Sequence, residues 1–139
     1  MTPQLIEQLG DDLYAALAEC RMVEPLTNRH ADITVEDAYA IQQRLNARRV
    51  AAGERIVGKK IGVTSQAVMN MLGVHQPDFG MLTDAMVYNE GEAVDARKLI
   101  QPKAEGEIAF VLKRDLQGPG VTAADVLAAT AGVMACFEI

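Results

Sequence analysis

Tryptophan is absent from the 139-residue sequence, phenylalanine and tyrosine occur three times each, and cysteine occurs twice. Any core must therefore be aliphatic, with seven methionines to fill its irregular gaps. Cys20 and Cys136 lack the paired spacing of a zinc or redox motif and sit among apolar neighbours, so both are read as buried thiols. Basic residues are also short: 13 Lys+Arg face 19 Asp+Glu, for a net charge of −6. Without a basic patch to neutralise phosphates or headgroups, neither nucleic acid nor a membrane surface is expected as a partner. No apolar run approaches the roughly 20 residues of a membrane helix, and no basic stretch leads into an apolar signal core, so a cytoplasmic location is the expectation.

Half of the residues are hydrophobic and 23% are charged, a globular composition, and the length suits one ordinary domain over residues 1–139. Leu5, Leu9, Leu13 and Leu17 recur every four residues, predicting an amphipathic helix over about 3–22 with Thr2 as cap and Pro3 in its first turn. Thr34 and Asp37 form a capping-box pattern ahead of a second helix that carries Ala38, Ile41 and Leu45 and ends near Gly53. Arg44, Arg48 and Arg49 near its end are expected to face solvent, with a basic substrate patch as the alternative. Strands are predicted over 55–63, 81–88, 106–113 and 132–139, and short helices over 65–72 and 122–130. His75–Gly80 reads as a loop. Helices first and strands later indicate an α+β fold, and the last strand–helix–strand suggests a crossover. The chain stops inside an apolar strand at Cys136–Ile139, which suggests truncation.

Three groups of residues could carry chemistry. Glu105 and Glu107, two apart on a strand, leave the same face and could share one hard cation such as Mg²⁺ or Mn²⁺; a solvated acidic face is the plainer reading of the pair alone. Glu138, between Phe137 and Ile139, needs a partner if buried, which that cation or a neighbouring Lys or Arg would supply. Lys59 and Lys60 must point to opposite faces of their strand, and spacing alone does not choose which lies inside. His75 and Asp78 sit in a turn-rich stretch where an Asp often just caps the backbone. No serine or cysteine stands in a recognised nucleophile motif.

The stretches PLT, KKIGVTS, HQPDFG, LIQPKAEGEIAFVLKRDLQGPGVTAADVLAAT and CFEI together resemble the N-terminal half of the bacterial 2-hydroxypenta-2,4-dienoate hydratases of aromatic meta-cleavage pathways, in the fumarylacetoacetate hydrolase superfamily. The resemblance runs along essentially the whole chain. It implies the first part of a mixed β-roll, with Glu105, Glu107 and Glu138 as ligands of Mg²⁺ or Mn²⁺ and Lys60 and Asp78 as catalytic residues. The implied reaction adds water to the dienoate, the metal chelating its C1 carboxylate and C2 oxygen. An oligomer of like chains and a complex with the pathway decarboxylase are implied partners. The sister 4-oxalocrotonate decarboxylases look similar, and a non-catalytic, complex-forming subunit is the reading from another class.

Overall fold

The computed structural model describes residues 1–139 and divides them into two compact units, Met1–Ile100 and Gln101–Ile139. The first contains α1 (Pro3–Ala18), α2 (Leu26–Arg29), α3 (Val35–Ala51), β1 (Ile56–Gly62), α4 (Gln66–Leu72) and β2 (Asp78–Thr83). The second contains β3 (Glu105–Leu112), α5 (Ala123–Ala129) and β4 (Thr130–Glu138). Helix and sheet are mixed, in agreement with the α+β reading, and no helix is long and apolar enough to cross a membrane.

In the first unit α1 packs along α3. The Thr2 hydroxyl accepts the Leu5 N–H to start α1, which ends at Ala18, short of the expected 22, where Cys20 takes a left-handed φ of 50°. Thr34 and Asp37 form the reciprocal capping box of α3, and the Asp37 carboxylate also receives the N-terminal ammonium at 3.0 Å. That ammonium, followed by the Thr34 backbone N–H, holds the Asp37 carboxyl below its usual range. Gly10 sets the approach of the two helices: a Cβ there would lie 2.5 Å from Arg44 Cβ and Cγ and 3.0 Å from the Ile41 carbonyl oxygen. Glycine costs an isolated helix about 1 kcal/mol relative to alanine, and here the burial of Leu9, Ala16 and Ile41 offsets it.

Of the three arginines expected to face solvent, Arg48 is exposed, Arg44 is half-buried and Arg49 is buried. Arg44 grips Asp11 through two 2.8 Å hydrogen bonds, and the Arg48 guanidinium lies 5.3 Å from the Tyr14 ring centre, so both stitch α3 to α1. Arg49 is buried at 7% exposure. Its Nε meets Glu54 Oε2 at 2.7 Å and its Nη2 donates to Thr83 Oγ1 at 3.1 Å, while the Thr83 hydroxyl donates to the same glutamate oxygen. This triad fastens the end of α3 to the end of β2. Beside it, Arg55 and Asp84 exchange backbone and side-chain bonds; the Arg55 N–H, then its guanidinium, holds the Asp84 carboxyl below its usual range.

β1 and β2 pair antiparallel, with Lys60 opposite Gly80 and Gly62 opposite Asp78. α4 lies in the connection, capped by the Ser65 hydroxyl on the Val68 N–H and closed by Gly73 at φ 68°. The predicted loop is corrected here, since Asp78, Phe79 and Gly80 belong to β2 and the strand ends at Thr83. Pairing with β1 overrides the local turn signal, and Pro77 stands just outside the strand, where its missing N–H costs no ladder bond.

In the second unit β3 and β4 also pair antiparallel, from Glu105 opposite Glu138 to Leu112 opposite Thr130, with a bulge at Val111/Leu112. The suggested crossover is therefore not made. β3 runs about 26 Å, whereas seven-residue α5 covers about 10 Å, and the chain re-enters beside the strand end it left, with Lys113 N–H bonded to the Ala129 carbonyl. Cys20 and Cys136 are free thiols and only half-buried, against the expectation of core packing.

Arg49→Met should lower the unfolding free energy by about 2 kcal/mol, a buried-pair value discounted because Glu54 is partly solvated. Urea titration checks this, and a loss under about 0.5 kcal/mol would show that the triad does not hold the unit. The depressed Asp37 and Asp84 carboxyls contribute stability that is present above their unfolded pKa of about 4 and lost as pH falls through the lower folded values. Asp84→Asn should accordingly flatten the acid side of the stability profile.

Candidate functional site

The register of the second unit decides which carboxylates meet. Glu105 and Glu138 are direct partners across the ladder, and Glu107 is two residues along β3, so alternation places all three on one face. One carboxylate oxygen from each lies within 4.8 Å of the others; Glu107 is half-buried and the other two are exposed. Oxygens spaced this way can converge on a single hard cation at bond lengths of roughly 2.0–2.6 Å. An all-carboxylate donor set suits Mg²⁺, Mn²⁺ or Ca²⁺ better than zinc. The donor set thus fits the divalent ion expected from the sequence. Cys136, opposite Glu107, shares this face, a placement that reading it as a core thiol did not anticipate.

Lys60 and Asp78 come together in the first unit. Their cross-strand partners are Gly80 and Gly62, so the lysine and the aspartate share a face as diagonal neighbours, each across from a residue without a side chain. Lys60 is half-buried and Lys59, on the other face, is exposed, which settles the choice that spacing left open. Any side chain at position 62 would strike the Asp78 carboxylate oxygen Oδ1. Glycine at that position is what lets the carboxylate lie over β1. His75 is exposed in the bend before β2.

The residue after Asp78 is held by α3. The Phe79 N–H donates to the Tyr39 hydroxyl at 3.3 Å, the Gln42 amide donates to the Phe79 carbonyl at 3.3 Å, and the Tyr39 and Phe79 rings stack at 4.7 Å and 18°. Sequence reasoning missed Tyr39 and Gln42. Their partner lies about 40 residues away, and the only local signal was the i, i+3 spacing that puts both on one side of a helix.

The chain is thus α+β with three carboxylates that could hold a cation, and it can be compared with known proteins. No protein-family model matches the chain. Among solved structures it is similar to 4-oxalocrotonate decarboxylase from Pseudomonas putida G7 complexed with magnesium and adipate, at TM-score 0.92 and 37% identity over 99% of this chain and 52% of that one. The same enzyme complexed with calcium and acetate matches at TM-score 0.89 and 38% identity, over 96% and 51%. In sequence the chain is similar to proteins named as 2-hydroxydienoate hydratases. It is 67% identical to the 2-hydroxypent-2,4-dienoate hydratase of Pseudomonas putida over 100% of this chain and 63% of that protein. Identity is 61% with the 2-hydroxyhexa-2,4-dienoate hydratase of Comamonas testosteroni, over 98% and 52%. The chain thus spans about half to three-fifths of the length of the curated relatives it matches.

Manganese titration followed by electron paramagnetic resonance should show one bound ion, released by a chelator. Glu107→Gln should weaken binding about tenfold or more, since affinity follows ligand charge. Equal binding by a Glu105→Gln/Glu107→Gln/Glu138→Gln variant would remove the site.

Proposed function

We propose that the protein is a divalent-metal-dependent hydro-lyase that adds water to 2-hydroxypenta-2,4-dienoate to give 4-hydroxy-2-oxopentanoate, a step of aromatic meta-cleavage degradation. The observation that carries this reading is 67% identity, along the whole chain, to a protein named for hydration of that dienoate. The carboxylate cluster and the Lys60–Asp78 face agree with it. Residues 1–139 are read as the N-terminal part of one hydratase/decarboxylase-type domain with the mixed β-roll of the fumarylacetoacetate-hydrolase-like fold, a reading supported by the match of the whole chain to about half to three-fifths of each longer protein. A homo-oligomer, a complex with the pathway decarboxylase and a cytoplasmic location go with that reading.

Glu105, Glu107 and Glu138 are assigned as the ligands of Mg²⁺ or Mn²⁺. Such an ion supplies Lewis-acid polarisation of the substrate's C1 carboxylate and C2 oxygen. The remaining work falls to the chain's own groups. Ketonisation removes the proton of the C2 hydroxyl and delivers one to C5; water then adds at C4 and a proton at C3, so one water is consumed per dienoate. Lys60, half-buried on a face kept open by glycines, is assigned to the C2 oxygen, where its amine takes or stabilises the hydroxyl proton. The Asp78 side chain, held over Gly62, is assigned to the far end, where as the carboxylic acid it gives its proton to C5 and as the resulting carboxylate takes one from the water that adds at C4, while the proton taken up at Lys60 goes to C3.

A second reading is favoured by the structural neighbours, whose name is 4-oxalocrotonate decarboxylase. Carbon dioxide release from that longer dicarboxylate, without hydration of the dienoate, would establish it. Co-purification with a longer partner and no turnover alone would instead indicate a non-catalytic subunit.

With the whole protein, fresh 2-hydroxypenta-2,4-dienoate should lose its ultraviolet absorbance in a metal-dependent way, with 4-hydroxy-2-oxopentanoate as product. Lys60→Ala and Asp78→Asn should each lower kcat by roughly a hundredfold or more while keeping manganese binding. Near-normal turnover in either variant would remove that residue from the mechanism.

A further inference from the structure

We infer that Tyr39 and Gln42 are positioning residues that set the place of the Asp78 carboxylate through the Phe79 peptide. The inference rests on the reading of Asp78 as the acid at the far end of the substrate. β2 has one edge on β1 and its other edge open, and at Phe79 that open edge is filled by α3. Tyr39 accepts the Phe79 N–H and Gln42 donates to the Phe79 carbonyl, so both polar backbone atoms of the residue next to Asp78 are held by one helix face. The stacked rings fix the remaining rotation of that residue. Across the ladder, Gly62 leaves open the space over β1 that the Asp78 carboxylate occupies.

The carboxylate therefore has two determinants, a glycine opposite it and a helix behind its neighbour. α3 can act as a fixed reference because it is tied elsewhere. Arg49 joins it to Thr83 at the far end of β2, and Arg44 joins it to Asp11 on α1. The strand is thus anchored to α3 near both ends, at Phe79 and at Thr83. Small errors of placement at a reacting atom are costly, on the order of a hundredfold for 1 Å, so a clamp with no substrate contact can still govern rate.

The test is Tyr39→Phe, which keeps the ring stack and removes the acceptor, with Gln42→Met as a second variant, both in the whole metal-loaded protein. Tyr39→Phe should exchange the Phe79 amide about tenfold faster, and each variant should shift the Asp78 carboxyl carbon resonance and lower kcat on the order of tenfold with little change in KM. In the Asp78→Asn background Tyr39→Phe should cost nothing further, because its effect passes through that carboxylate. A wild-type kcat in both variants, or an equal further loss in the Asp78→Asn background, overturns the inference. A wild-type protein that hydrates no dienoate, or an Asp78→Asn variant at full rate, would instead overturn the reading of Asp78. The Phe79 exchange and the Asp78 resonance would then still decide whether the clamp exists, and unchanged values in Tyr39→Phe would deny it.

Discussion

The antiparallel register that sets Glu105 directly against Glu138 is the constraint on which the functional reading depends. Acidic side chains opposite one another in a ladder are ordinarily destabilising, and here a third, Glu107, stands on the same face within reach of both. A slip of one residue would move β4's acid to the opposite face and disperse the cluster. The register is held by eight successive cross-strand pairs running back to Leu112 and Thr130, and by the capping box of Thr122 and Asp125 that starts the connecting helix. Three carboxylates on one face form a donor set that a divalent cation could share.

The first unit follows a different logic, in which α3 is the reference element. Gly10 lets α1 approach it, Arg44 and Arg48 hold that contact, Arg49 ties it to the end of β2, and Tyr39 with Gln42 holds the strand's start. Few apolar side chains are fully buried: Leu9, Ala16 and Ile41 in this unit, and Ala129 in the other. What the contacts of α3 position is a face of β1 and β2 from which Lys60 and Asp78 rise across from two glycines.

Much of this was legible in the sequence because it is written in short-range chemistry. The boxes Thr34–Asp37 and Thr122–Asp125, the Ser65 cap and the Gly73 stop act within a few residues of themselves. The alternation of β3 placed Glu105 and Glu107 together, and the isolated acid at Glu138 pointed to a partner before any register was known. Long-range pairing is where local reading failed. Asp78–Gly80 carries turn residues yet forms a strand because β1 and α3 supply partners for it, and the final two strands run antiparallel because the connection returns to the edge it left. Arg49 is buried, against the habit of arginines in a last helical turn, because Glu54 and Thr83 satisfy it from 5 and 34 residues away. Spacing alone did not choose between Lys59 and Lys60; the resemblance named Lys60, and the folded strand leaves Lys59 exposed and Lys60 half-buried.

The most direct test of the central claim is anomalous diffraction at the manganese edge from crystals of the protein soaked in manganese. The account predicts one strong peak at roughly 2 Å from carboxylate oxygens of Glu105, Glu107 and Glu138 together. A peak held by other residues, or none in crystals whose three carboxylates are ordered and accessible, would contradict it.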